Sequence, residues 1–273
     1  MKFKYIIIAS GIIIVITIII TALLPLLLSS VDLLNFQYIT LLLFSFIVLL
    51  IICMSVFLIL NYRLLSLLDR EDWPALSYYL EQQIYTKGRY SARKVRLLAI
   101  SYFIVSDYAS VLKLESKASI AKPSVIDKNV LIFGSAKILS HNYKEAAAFF
   151  MAYMEKENVD NKQWIRWFYG FSQLLGSAFN MAEPEFVSLT FSSGNALITG
   201  LSAYFLHNSL AKHSLKPEEC NAAAENGRGR VIKALRKARN WDKEADKMRT
   251  EIHIAVIRKY IDEAGKWLFN KQV

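Results

Sequence analysis

Two long apolar runs open this chain, and they constrain everything that follows. Residues 5–30 contain no charge, nor do residues 33–62, and Asp32 alone separates the two runs by its charge. A bilayer core about 30 Å thick takes roughly 20 helical residues at about 1.5 Å each, so either run is long enough to cross one. The pattern predicts a transmembrane helical hairpin with spans at about residues 5–28 and 36–60. A cleaved secretory signal is the competing reading. Its apolar core is usually about 7–15 residues long and ends at a small-residue site, which Leu26-Leu27-Leu28-Ser29-Ser30 does not supply. Basic residues set the orientation. Lys2 and Lys4 precede the first run and Arg63 and Arg70 follow the second, with no Lys or Arg between the runs. The positive-inside rule then predicts a two-pass protein of the inner (plasma) membrane, with both termini and the soluble part in the cytoplasm.

The remaining residues, 63–273, suffice for one or two soluble domains with a substantial core. Of the net charge of +10, residues 63–215 carry +4 and residues 216–273 carry +5. A basic body beside a membrane is drawn to anionic lipid. Nucleic acid would also attract it, but no recognition motif accompanies the charge. Cys53 falls within the second apolar run, leaving Cys220 alone in the soluble part, so no disulfide can form within that part.

After Tyr62 the apolar residues recur at helical spacing, and the chain reads as all-α. Asp72-Trp73-Pro74 marks a helix start, with a stop near Gly88. Two stretches then repeat at an offset of 35. Val95, Leu98, Ala99, Tyr102, Asp107, Tyr108 and Val111 correspond to Val130, Phe133, Gly134, Lys137, Asn142, Tyr143 and Ala146. A third copy, at an offset of 36, has Tyr169-Gly170, Phe179, Ala182 and Phe186. A fixed period of this size signals stacked helical hairpins. Over residues 91–158, and less closely over 159–191, the chain resembles the tetratricopeptide (TPR) family. Leu98-Ala99 and Phe133-Gly134 stand at that family's large/small pair, and Tyr108 and Tyr143 at its turn tyrosine. Ala146 and Phe150 occupy the second-helix packing positions, and Pro123 the closing proline. Val111, Glu115 and Asn158 depart from the pattern. The resemblance implies a TPR-like α-α hairpin stack over residues 63–215 with a groove that receives partner proteins.

Residues 186–211 form a further uncharged stretch, but its serines, threonines and two glycines suit buried helices and a turn at Ser192-Ser193-Gly194-Asn195 better than a span. Residues 215–229 read as a linker whose Pro217 could open a helix. Two basic helices are expected beyond it, at about 228–240 and 241–269, packed on the repeat domain.

Motifs for chemistry are scarce. The four histidines show no zinc spacing, and no Walker, nucleophile-elbow or dinucleotide sequence is present. The chain therefore reads as non-enzymatic, with no cofactor or metal expected. The aromatic helix holding Trp164, Arg166, Trp167 and Tyr169 supplies candidate partner-binding residues, because Trp, Tyr and Arg are favoured interface anchors. Core packing is the alternative role for its aromatics. Lys87, Arg89, Arg93, Lys94 and Arg96, with Arg228, Arg230, Lys233, Arg236, Lys237 and Arg239, are candidates for binding an anionic surface. The expected function is a membrane-anchored adaptor or scaffold that binds other proteins, components of a membrane complex. The alternatives are a lipid- or nucleic-acid-binding protein using the basic C-terminal helices, and a non-catalytic subunit of a membrane enzyme or transport complex. Nucleic acid is the least favoured partner and anionic lipid a further one.

Overall fold

The computed structural model describes residues 33–269, together with Gly11, Val15 and Ile19, and among these residues there is no β-strand. The expected first span, about residues 5–28, lies outside the described residues apart from those three positions. The chain divides after Glu81 into two compact units.

The first unit contains α1 (Leu33–Asp69) and α2 (Trp73–Glu81). Within α1, residues Ser45–Asp69 form a helix long and apolar enough to cross a membrane, and few of them are buried. This helix outlasts the expected end of the second span, near residue 60, without a break. The change at Asn61-Tyr62-Arg63 is therefore one of polarity and not of backbone. Asp72 caps α2, its Oδ1 accepting from the Ala75 N–H at 3.1 Å, and Pro74 sits in the first turn. A wide π turn (Gln82–Thr86) follows, and Gly88 has φ +62°.

In the second unit, α3 (Ala92–Ile104) pairs with α4 (Tyr108–Ala121). After the short α5 (Ser124–Asp127), α6 (Val130–Leu139) pairs with α7 (Tyr143–Met154). The series continues with α8 (Lys162–Leu175) and α9 (Phe179–Ser192), then α10 (Ala196–Phe205) and α11 (Pro217–Leu235). Helices α3, α6, α8 and α10 touch in sequence, and each second helix packs on the first helix of the next pair. The result is two layers of helices built from consecutive hairpins.

One local device repeats along this series. Glu71, Ser106, His141 and Ser177 all have φ between 55° and 61°, at spacings of 35, 35 and 36 residues. At each, the next residue's N–H bonds five residues back, as from Asp107 to Tyr102 at 2.9 Å, Asn142 to Lys137 at 3.0 Å, and Ala178 to Gln173 at 2.9 Å. This is the Schellman closure of a helix, which satisfies its last carbonyls while the chain reverses. The small residues of the repeat do the packing. A Cβ on Gly134 would fall inside the ring of Phe150, and one on Gly170 would press on Phe186 at 3.3 Å. Glycine at these points lets the paired helices approach until an aromatic ring fills the gap.

Residues 186–211 run through the end of α9, α10 and a π turn (Leu206–Leu210), with a break at Ser193-Gly194-Asn195 where Asn195 caps α10, and these elements contribute many core residues. The C-terminal region departs from expectation. Residues 217–229 are not a linker, because α11 runs through both Gly227 and Gly229. A Cβ on Gly227 would meet Ala203 and Thr190 at 3.0 Å, so this glycine marks a close helix contact. Arg236, at φ 63°, ends α11, and the two expected helices become α12 (Ala238–Lys247), α13 (Ile252–Val256) and α14 (Arg258–Phe269). The break brings Trp241 back against α14. Its Nε1 donates to the Ile261 carbonyl at 3.0 Å, and its ring covers Gly200 and Gly265. In one straight helix, positions 241 and 261 would stand about 30 Å apart.

Candidate functional site

The aromatic helix α8 is interior. Trp164, Trp167, Phe168, Tyr169 and Phe171 are all buried, and Arg166 is paired with Glu185 of α9. Trp164, Trp167 and Tyr169, candidates for partner binding, are thus packed in the core, and Arg166 is half of an ion pair. The sequence could not indicate which side of α8 would be covered, because what covers it comes from the far C-terminus. His253 of α13 lies edge-on to Trp164 and Phe168, with ring centroids at 5.3 and 5.9 Å. Tyr260 of α14 packs on Phe171 and Phe205 at 5.5 and 5.2 Å.

Helices α12–α14 thus lie on the layer formed by α6, α8 and α10. Trp241, Ile254, Ile257, Ile261, Ala264 and Leu268 are essentially fully buried. At about 1.5–3 kcal/mol for each large apolar side chain, this covering layer is held by something on the order of 10 kcal/mol. The face that a TPR-like reading offers to partners is filled by the chain itself. The opposite layer remains open, and there Ile120 of α4, Met151 of α7, Met181 and Phe191 of α9, and Ile232 of α11 are exposed. Sequence reasoning missed these residues, since isolated apolar positions on basic or mixed helices look like ordinary core.

At the N-terminus of α13 lies a cavity of about 80 Å³ lined by Arg96, Lys128, Asn129, Asp160, Glu251 and His253, among others. Its charges are matched, with Arg96 bonded to Glu251 and Lys128 to Asp160 at 3.1 Å. His253 is buried, its Nε2 has no partner among the described residues, and burial, reinforced by Arg96, pushes its pKa down to about 4. Among the described residues, no group of three or more His, Cys, Asp or Glu is arranged to hold a metal ion.

The eleven basic candidates do not form one surface. Arg228 donates to the Leu268 carbonyl at 3.2 Å, lies over the Trp267 ring and pairs with Glu225. Arg230 bonds the carbonyls of Thr190 and Ser193, closing the end of α9. Arg228 thus clamps the C-terminal layer, Arg230 ties α11 to the end of α9, and Arg96 ties α3 to Glu251. Lys233, Arg236, Lys237 and Arg239 are exposed around the α11–α12 corner. Beside them Lys233 and Arg230 line an open pocket of about 520 Å³ with Ser193, Gly194 and Thr199. Lys87, Arg89 and Arg93 are exposed and Lys94 is half-buried. Burial lowers the Lys94 pKa, with the like charges of Arg89 and Lys87 adding to it.

A sequence-family model described as "Uncharacterised Treponema protein" matches residues 110–270, from within α4 to the end of α14. An "Uncharacterized protein" of Treponema pallidum (strain Nichols) is 30% identical over 217 residues, which is 77% of this chain and 69% of that protein.

Proposed function

This chain belongs to the family described as uncharacterised Treponema protein, and from that premise we propose that it is a membrane-anchored adaptor whose helical-hairpin domain holds another protein beside the bilayer. One observation carries the reading. An exposed apolar helix long enough to span a membrane runs without interruption into the first helical hairpin of the chain. Helix α1 and the short helix α2 that follows it belong to one compact unit, from which the chain passes directly into the helical-hairpin domain. The uncharged run at residues 5–28 would add a first span, giving two passes, and the distribution of Lys and Arg then puts both termini and the domain in the cytoplasm.

In this reading the domain is a TPR-like stack. Support comes from the Schellman turns spaced by 35 or 36 residues and from Gly134 and Gly170 under Phe150 and Phe186. The binding face is the open second-helix layer, where Ile120, Met151, Met181 and Phe191 are exposed, because α12–α14 occupy the other. We read the protein as non-catalytic: the small polar cavity at His253 has its neighbouring charges joined in ion pairs. The test is photocrosslinking of the full chain in its native membrane, with a photoreactive residue at Met151, Met181 or Phe191. Crosslinks from these positions to a defined protein are the expected result. Crosslinks to lipid alone would defeat the adaptor reading.

A further inference from the structure

The hairpin of α1 and α2 sets a level in the first unit. Its turn is centred on Glu71, and the guanidinium of Arg63 lies over the Tyr79 ring at 5.2 Å, so positions equally far from 71 stand side by side. Glu81, the last residue of α2, is therefore level with Asn61. At Asn61-Tyr62-Arg63 the uncharged run of α1 ends in an amphipathic aromatic and a cation, the residue types that settle among lipid headgroups. Helix α2 thus leads the chain back to headgroup level. Lys87 comes six residues later, which limits its distance from Glu81 to about 20 Å by covalent reach alone.

Four cations follow within eight residues: Lys87, Arg89, Arg93 and Lys94. Among the described residues none of them has a carboxylate partner, whereas Arg96, next along the same helix, is bonded to Glu251. The N-terminus of α3 is already satisfied by Ser91, whose Oγ accepts from the Lys94 N–H. The unmatched charge therefore sits in the side chains, and partial burial together with Arg89 and Lys87 disfavours the protonated form of Lys94. A dense, unneutralised cation cluster tethered this close to a bilayer calls for an anionic counterpart on the bilayer surface.

We propose that Lys87, Arg89, Arg93 and Lys94 bind the headgroup phosphates of anionic phospholipids in the membrane that α1 crosses. The site rests on α1 being a span, and it gives the adaptor a second hold on the membrane. Each well-placed Lys or Arg strengthens such adsorption about fivefold. The C-terminal cations Lys233, Arg236, Lys237 and Arg239 have no such tether to headgroup level, and they serve as the control.

The experiment reconstitutes the full chain into vesicles of equal parts phosphatidylcholine and phosphatidylglycerol and measures the motionally restricted fraction of spin-labelled lipid of each kind. The unaltered protein should restrict phosphatidylglycerol several-fold over phosphatidylcholine. That ratio should fall to about one when Lys87, Arg89, Arg93 and Lys94 are all changed to Gln, and should hold when Lys233, Arg236, Lys237 and Arg239 are changed instead. Should the first variant misfold, raising the ionic strength around the unaltered protein must collapse the preference in the same way. Restricted lipid without preference, or a preference that survives both the Gln substitutions and salt, overturns the headgroup site alone. The absence of restricted lipid of either kind overturns the span as well.

Discussion

At the level of single residues, the small positions of the repeat were legible and the reason for them is steric. Gly134 stands at the large/small pair in the sequence, and the space its missing Cβ leaves holds the ring of Phe150. Gly134→Ala gains about 1 kcal/mol of helix propensity but must displace that ring, an overpacking cost of about 1–3 kcal/mol or more. A net loss is expected, and it should shrink when Phe150 is cut to Leu. A double-mutant cycle on urea midpoints would reveal the coupling, and additive effects would contradict the packing described. Gly227 and Gly229 misled because glycines in a polar stretch usually mark a loop, yet α11 uses Gly227 to approach Ala203 and Thr190. His253 gave no signal at all, since its burial depends on Trp164 and Phe168, more than 80 positions upstream. Its pKa is lowered to about 4 by burial and by Arg96, whereas an unfolded chain holds it near 6.5. The histidine is thus neutral in the native state. Stability is unaffected above about pH 6.5 and falls as pH drops from there toward 4, where the unfolded state gains a proton that the native state refuses. The loss is on the order of 3 kcal/mol. His253→Phe should flatten this part of a plot of stability against pH, and an unchanged slope would mean that another group is responsible.

Among the elements, the helices of the hairpin series were readable from period and capping, and the C-terminal helices were not. Asp72, Asp107 and Asn142 stand at recurrent helix starts, and the chain reverses before each as expected. Beyond Leu235 the sequence offers a continuous basic, helical pattern with no Gly or Pro to break it, apart from Gly265 inside α14. The breaks at Arg236 and around Thr250 arise because Trp241 and the Ile261–Leu268 stripe must both reach the layer of α6, α8 and α10, a tertiary demand that overrides local propensity. Trp241 is the keystone: its ring covers Gly200 and Gly265, and its N–H holds the Ile261 carbonyl. Trp241→Ala should cost roughly 3–5 kcal/mol, with Trp241→Phe losing about 1 kcal/mol for the hydrogen bond plus part of the packing. Thermal melts of the intact protein in detergent would rank the two, and equal effects would show that the indole N–H carries the interaction. Truncation before Arg228 would expose Phe168, Phe171 and Phe205 together. Such a truncation should aggregate and cannot stand in for a protein that has merely lost a basic surface.

For the whole molecule, the all-helical character and one helix long and apolar enough to cross a membrane were legible in the distribution of charge and apolar residues. Which layer of the body is free was not plain, because that is settled by residues 238–269 folding back over the middle of the chain. The consequence is mechanical as well as chemical. Helix α1 passes from its apolar part to Asp69 with no break, so there is no flexible linker within it to decouple the anchor from the hairpin that follows. If α1 spans the bilayer, the full chain should stay with membranes through an alkaline carbonate wash and leave them only in detergent. Changing Leu49 and Ile52, both exposed on α1, to Asp should shift the protein toward the washed fraction, since each charge near the bilayer centre costs about 2.5–3.5 kcal/mol by insertion measurements. The same change should leave the thermal melt of the released protein close to that of the detergent-held parent, because neither side chain is part of a packed core. Full retention of the doubly charged form, with the first apolar run at residues 5–28 deleted so that it cannot substitute, would mean that some other part of the chain holds it to the membrane and that α1 is not the anchor.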